Sequence, residues 1–307
     1  YRSWCAACVA GRSDNPPHRR SPSDKEQPSV PEVFFDYAYV RREAEDHPTT
    51  VLVAKHRQSR AVRAGTVPRK GPNEDSATDL AVEFLRSFGV THDQGLAVTL
   101  RTDGEPALVA LRRRIAARHG GSVLEQGSAA HEHESMGIIE NGVKLGKGIL
   151  RVLLLALEER LGGRLPCSHP SFAHLVGHSS AVLTKHLRGK DGKTPYQRLF
   201  GKEVAEEGLE FGEKVRWRPP RGQSHGVLLE ARWLDGVWLG RHWSGPTHIV
   251  FDPASKSLKE VRAVQRVLLS ERWGRDLVQS VCVWPRGQDP GDTAEVRIVP
   301  DGSPRPE

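Results

Sequence analysis

The chain has 307 residues, 37% of them hydrophobic, with a formal net charge of +7 and a pI near 9.4. That length accommodates two domains but not three large ones, and the positive balance favours an anionic partner such as nucleic acid. Four scattered cysteines (Cys5, Cys8, Cys167, Cys282) exclude a disulfide framework and suggest a reducing compartment, and the most apolar run, Ile149 to Leu157, is too short and too interrupted by Arg151 to enter a membrane.

The elements follow in chain order. Trp4-Cys5-Ala6-Ala7-Cys8 opens the chain. Two thiolates spaced Cys-x2-Cys grip one edge of a tetrahedral zinc ion, which makes Cys5 and Cys8 half of a zinc site. His18 is not expected to complete it, so residues 1–30 read as a truncated zinc-module remnant and a linker rich in Pro, Ser and Arg. No signal peptide is visible. The chain starts at Tyr1 and its single methionine is Met136, so it is expected to be cut from something longer, which fits a polyprotein and a truncated gene product equally.

Val33 to Val40, Thr50 to Lys55 and Ala61 to Val67 carry the β-branched and aromatic residues of three strands, with His56 to Arg60 as a polar turn. Asn73 and Asp75 offer caps for a helix reaching Phe88, in which Ala77, Leu80, Ala81, Phe84 and Leu85 recur at helical spacing. A strand from Leu96 to Thr102, a basic helix from Glu105 to His119 and a last strand from Ser122 to Gln126 follow. The run Arg112-Arg113-Arg114 reads as a solvated face. Gly127 to Gly137 has no apolar period and reads as a mobile loop, and His131 and His133 are left out of any metal site. A long helix is expected from Ile138 to Leu161, with Ile139, Val143, Leu150, Leu154 and Leu157 on its buried stripe.

Three acids stand out along this path. Asp36 interrupts an aromatic strand, where a carboxylate is costly unless a cation compensates it. Asp103 precedes Gly104 at the carboxyl end of a strand. Glu140 opens the long helix, with Lys144 and Lys147 at i+4 and i+7 on its face. Glu132 and Glu134 compete for the third place, but only Glu140 falls within a strong helical pattern. Converging carboxylates repel one another, and hard divalent cations relieve that repulsion.

With thirty-six residues between Asp103 and Glu140, the chain resembles the integrase segment of a retrotransposon polyprotein, most like the Copia type, with the Asp, Asp, Glu triad of retroviral integrases and transposases. The resemblance spans roughly residues 1–270. It implies an α/β fold: an RNase H-like catalytic core over residues 31–165, with a mixed five-stranded sheet flanked by helices. A helical extension would occupy residues 166–207 and end on Thr194-Pro195-Tyr196, similar to the "TPY" segment of the family.

Beyond Leu209, short strands punctuated by Gly and Pro carry Trp217, Trp233, Trp238 and Trp243, and residues 208–270 look like the SH3-like β-barrel of integrases. Arg216, Arg218, Arg232 and Arg241 could meet phosphates there. Residues 271–307 are expected to be a tail, partly disordered after a strand-like Val278 to Trp284.

The resemblance implies an integrase of an LTR retrotransposon. Its Asp36, Asp103 and Glu140 would hold two Mg²⁺ or Mn²⁺ ions that activate a nucleophilic oxygen and stabilise the leaving one, first in DNA 3′-end processing and then in strand transfer. Lys144, Lys147, Arg216 and Arg218 would touch DNA, Zn²⁺ would need a longer chain, and the protein would act as a homo-oligomer on DNA in the nucleus. Two alternatives stay open: a catalytically inactive DNA-binding remnant or domesticated integrase, and an RNase H-like nuclease. Ser135-Met136-Gly137 lacks the Asn that the family carries before its last acid, and the zinc-module histidines are missing; both bear on activity more than on fold.

Overall fold

The computed structural model describes residues 30–41, 48–70, 75–89, 97–120, 122–127, 133–204, 208–219, 231–291 and 296–300. Cys5, Cys8 and His18 lie outside the described residues.

Three consecutive strands, β1 (Glu32–Val40), β2 (Thr49–His56) and β3 (Val62–Val67), pair antiparallel. Helix α1 (Asp75–Arg86) leads to β4 (Val98–Thr102), and α2 (Pro106–His119) leads to β5 (Val123–Gly127). Both of these strands run parallel to their neighbours, giving a mixed sheet of order β3-β2-β1-β4-β5. Parallel strands need a crossover, and each helix supplies one. An antiparallel opening followed by alternating helices and parallel strands is the order of elements expected for the core.

Side-chain alternation along β1 divides the molecule into layers. Val33, Phe35 and Tyr37 join Leu80 and Phe84 of α1 and Leu108, Leu111 and Ile115 of α2 in one buried cluster. Phe34 and Ala38, pointing the other way, join Ile139, Leu150 and Leu157 of α3 (His133–Leu161) in a second. The sheet is therefore covered on both faces. Helix α3 begins at His133, so the last part of the segment expected as a loop is helical.

A short strand, β6 (Gly163–Arg164), precedes α4 (Pro170–His186), whose first N–H groups are capped by His169 Nδ1 accepting from Ser171 N–H at 3.1 Å. Helix α5 (Pro195–Phe200) has a capping box: Thr194 Oγ1 accepts from Gln197 N–H while Gln197 Oε1 accepts from Thr194 N–H. This is the physical content of the Thr-Pro-Tyr segment.

Five strands form a second sheet of order β10-β9-β8-β7-β11, from β7 (Lys214–Trp217), β8 (Leu234–Arg241), β9 (His248–Asp252), β10 (Ser257–Val261) and β11 (Val264–Arg266). All its described pairings are antiparallel, and no pairing among described residues joins β10 to β11. Trp217 and Trp238 fill its own core, whereas Trp243 is buried in the cluster beneath α1.

The segment from 271 onward departs from expectation. Where a strand was expected from Val278, the chain forms helix α6 (Arg275–Gln279), and Val278, Val281 and Ile298 bury themselves against α3 and α4. Val299 then pairs with Arg164 as β12 (Val299–Pro300) meets β6. Burying three aliphatic side chains outweighs the strand preference of the local sequence.

Candidate active site at the end of strands β1 and β4

Strands β1 and β4 are parallel, with Val33 opposite Leu100 and Phe34 opposite Arg101. Continuing that register by two residues sets Asp36 opposite Asp103. Alternation also fixes their side. Asp36 shares its face with Phe34 and Ala38, which pack on α3, and Asp103 is in phase with Thr99 and Arg101, away from Val98 and Leu100 in the opposite cluster. Asp36 therefore belongs to the α3 face, and Asp103, one residue past the end of β4, continues the phase of Thr99 and Arg101.

Electrostatics agrees with the geometry. Burial pushes the half-buried Asp36 carboxyl above its ordinary value, and the nearby negative charges of Asp103 and Glu105 push in the same direction. A backbone hydrogen bond at Tyr37 and the cation Lys70 oppose them without cancelling the shift. Asp103 Oδ1 accepts from Glu105 N–H at 2.9 Å, a turn that the chain makes immediately before Pro106 opens α2.

Lys70 forms an ion pair with Glu105, and its ammonium lies 5.3 Å from the Tyr37 ring centroid and 5.5 Å from that of Tyr39. Desolvation would lower Lys70, but hydrogen bonds to Glu105 and Tyr39 carry it above its usual value. Neither Lys70 nor Glu105 was singled out in the sequence. Glu105, an acid two residues after a strand-end Asp, was the signal available; Lys70 had none.

Glu140 sits on α3, over the same face of the sheet. Gly142 lets this helix approach β2, since a Cβ there would stand 2.9 Å from Lys55 Cδ. Asn141 Oδ1 accepts from the Lys55 ammonium at 2.9 Å, which fixes the helix next to the strand pair. Glu140, Lys144 and Lys147 are exposed on one stripe of the helix. The structure thus brings Asp36 and Asp103 together and leaves Glu140 on the neighbouring helix. Among the described residues no group of three His, Cys, Asp or Glu side chains stands close enough to hold a metal ion.

The two adjoining carboxylates are hard oxygen donors whose mutual repulsion a divalent cation would relieve, so the pair fits such an ion as far as it goes. A cavity of about 310 Å³ lies between α3, α4 and β8, lined by Leu157, His178 and Trp238, and includes none of these acids.

The arginines distribute differently from the lysines. Arg112 donates to Thr102 Oγ1 at 3.3 Å and Arg114 pairs with Asp75, so two members of the Arg112 to Arg114 run tie α2 to its surroundings. Arg216 is exposed with Asp235 3.6 Å away, and Arg218 is exposed next to it.

No family model matches the chain, and no curated protein matches it. Among solved structures, it is similar to the catalytic core domain of HTLV-2 integrase in complex with magnesium. The trimeric form has a TM-score of 0.38 and 15% identity over 55% of this chain and 95% of that one; the dimeric form has a TM-score of 0.38 and 16% identity over 56% and 98%. It is also similar to a chain of the simian T-cell lymphotropic virus intasome in complex with PP2A regulatory subunit B56 gamma, with a TM-score of 0.37 and 13% identity over 77% of this chain and 81% of that one. Likeness at this level carries no weight in assigning activity, which rests on the residues themselves.

Proposed function

We propose that the chain is a metal-dependent polynucleotidyl transferase of the integrase type, the integrase of a Copia-like retrotransposon, acting in 3′-end processing of DNA and its transfer into target DNA. One observation supports the reading: the β1–β4 register, extended by two residues, sets Asp36 opposite Asp103, whose negative charge helps raise the Asp36 carboxyl, and α3, which packs on the face of Asp36, carries Glu140. Asp36, Asp103 and Glu140 would hold Mg²⁺ or Mn²⁺. Such ions, when bound, supply Lewis-acid activation of a nucleophilic oxygen and charge stabilisation for the leaving one.

The chain's own residues do the positioning. Parallel pairing of β1 and β4, which ends at Phe34 and Arg101, would set the two aspartates just beyond it opposite each other. The Asp103–Glu105 turn orients one carboxylate, and Lys70 offsets part of the local negative charge through Glu105. Lys144 and Lys147, exposed on the stripe of Glu140, would take phosphates of the DNA, as would Arg216 and Arg218 on the second sheet. Closure of that sheet into an SH3-like barrel, a zinc module at Cys5 and Cys8, and assembly as a homo-oligomer on DNA in the nucleus belong to the same proposal.

A second reading has its own support. The exposed position of Glu140 and the absence of a three-ligand cluster among the described residues favour an inert DNA-binding remnant. Incubation with duplex DNA and Mg²⁺ or Mn²⁺ separates the two. The integrase reading expects divalent-ion-dependent nicking and joining that disappear in Asp103→Asn. DNA binding without strand cleavage or joining in the unaltered chain, at every metal concentration, decides for the remnant.

A further inference from the structure

A second polar site lies beside the first, on the other side of the α3–β2 contact. Lys55, in β2, is buried, yet among the described residues the amide oxygen of Asn141 is the single hydrogen-bond partner of its ammonium and no carboxylate stands within ion-pair distance. Next to it comes Arg60, exposed, whose guanidinium also has no ion-pair partner among the described residues. A buried cation facing a second cation is costly twice over, through lost hydration and like-charge repulsion. The lysine responds in kind: burial first, and Arg60 next, lower it from 10.5 to about 8.

The backbone at Arg60 is a separate observation. Its φ is 65°, in the left-handed region where Gly or Asn is usual, within a tight turn closed by Arg60 N–H to His56 O and His56 N–H to Ala61 O, both 2.9 Å. An arginine held in that conformation, where a glycine would sit without strain, points to a use for its side chain.

Both cations line a pocket of about 130 Å³, together with Arg188, Arg198 and Asn141. Arg198 is engaged: Nε donates to Asp191 at 3.0 Å, and one terminal NH₂ donates to Ser59 O at 3.0 Å. Arg188 has Glu203 3.7 Å away. Neither carboxylate lines the pocket, so the excess charge inside it is that of Lys55 and Arg60. The volume equals the share of roughly four water molecules at about 30 Å³ each, far below the 300–1,000 Å³ or so typical of sites for larger ligands. It suits one tetrahedral oxyanion.

We propose that this pocket between β2, α3 and the loop after α4 binds a single phosphate group, with Lys55 and Arg60 supplying the charge that receives it and Arg188 and Arg198 forming its rim. The phosphate belongs either to a nucleic acid strand or to a free phosphate in solution; the recognition chemistry is shared. This site does not depend on the transferase reading, because it uses none of the three acids.

The test uses the full chain and two variants, Arg60→Gly and Lys55→Met. Arg60→Gly is informative because glycine accepts φ near 65°, so the variant melts no lower than the unaltered protein in the absence of phosphate. Inorganic phosphate, titrated against chloride at constant ionic strength, is expected to raise the melting midpoint saturably, with an apparent Kd at least tenfold weaker in either variant. In parallel, the dependence of duplex binding on salt is measured. A log–log slope about 0.9 shallower in Arg60→Gly assigns the phosphate to nucleic acid; an unchanged slope with a lost phosphate response assigns it to free phosphate. Arg60→Gly behaving like the unaltered chain in both titrations overturns the proposal. Asp103→Asn, which tests the transferase reading, is expected to bind phosphate normally, so the two failures are distinguishable.

Discussion

Acid should unfold this protein well before its carboxylates protonate, because three buried histidines are held neutral. His169 Nδ1 accepts the Ser171 N–H that caps α4, at 3.1 Å. His56 Nδ1 accepts Ser59 N–H at 3.3 Å, and its ring stacks on Phe88 with centroids 4.5 Å apart. His174 Nε2 lies 2.9 Å from Val283 O, tying α4 to the segment after α6. Burial lowers each from 6.5 to about 4. Between those values the unfolded chain binds protons that the fold refuses, so stability is full above pH 6.5 and drains as pH falls towards 4. Each histidine is worth about 3 kcal/mol across that interval, and three together approach the whole stability of a typical domain, about 5–15 kcal/mol. His169→Asn isolates one of them, since asparagine is a good helix cap and does not titrate. Urea unfolding followed by tryptophan fluorescence from pH 7.5 to 4.5 should show the variant losing about 1.4 kcal/mol less per pH unit within the window. Equal slopes for the variant and the unaltered chain, or a stability flat across this range, would refute the reasoning.

Asp36 works with the opposite sign. Its carboxyl is raised in the fold by burial and then by Asp103 and Glu105, so the ionised form costs stability at neutral pH. Asp36→Asn should therefore raise the melting midpoint while removing metal-dependent DNA joining, and a lower midpoint would contradict this account. Lys144→Gln with Lys147→Gln removes two exposed cations, so it should shift folding stability by less than about 0.5 kcal/mol and flatten the salt dependence of DNA binding by about 1.8 in log–log slope; binding measured at three salt concentrations checks it. In the second sheet, Glu213 is fully buried and takes two hydrogen bonds from Arg266 Nε, at 3.1 and 3.2 Å, and one from its terminal NH₂ at 2.9 Å. Arg266→Leu leaves that carboxylate with Arg272 at 3.9 Å. It should cost about 3 kcal/mol, the low end for a broken buried pair, because Arg266 is itself a third exposed. Denaturant unfolding reads this directly, and a loss below about 1 kcal/mol means the pair is screened.

Legibility in the sequence followed the range of each interaction. The strands and helices of the mixed sheet were visible because their signal is local: alternation along Val33 to Val40, and helical spacing from Ala77 to Leu85. The pairing of Asp36 with Asp103 was only half visible. Each residue type and its place in or at the end of a strand could be read, but the register whose extension sets them opposite each other comes from β1–β4 pairing between segments far apart in the chain. Lys70 and the Lys55–Asn141 contact gave no local sign, because one follows a strand and the other spans eighty-six residues. Expecting a loop up to Gly137 failed for a different reason: a helix extends by backbone hydrogen bonds and needs no apolar stripe in the sequence to add a turn, so α3 starts at His133, ahead of the apolar period.

The boundary expected near residue 208 falls where the secondary structure changes, and side chains from beyond it pack against the elements before it. Short Gly- and Pro-punctuated strands mark a change of secondary structure, and the second sheet does keep a small core of its own around Trp217 and Trp238. Yet the β8–β9 turn sends Trp243 across that boundary, where its indole N–H donates to Val62 O at 3.0 Å and its ring meets Phe84 edge-on at 5.1 Å. Next to it, the buried Lys185 ammonium of α4 donates to His242 O at 2.7 Å and to Gly245 O at 3.2 Å. Phe211, Val237, Leu239 and Phe251 share a cluster with α3 and α4. A small sheet buries too little surface by itself to be stable with many aromatic residues pointing outward. Donating several of them to its neighbour's core solves that problem, and it also couples the second sheet, with Arg216 and Arg218, to the helix that carries Glu140, Lys144 and Lys147.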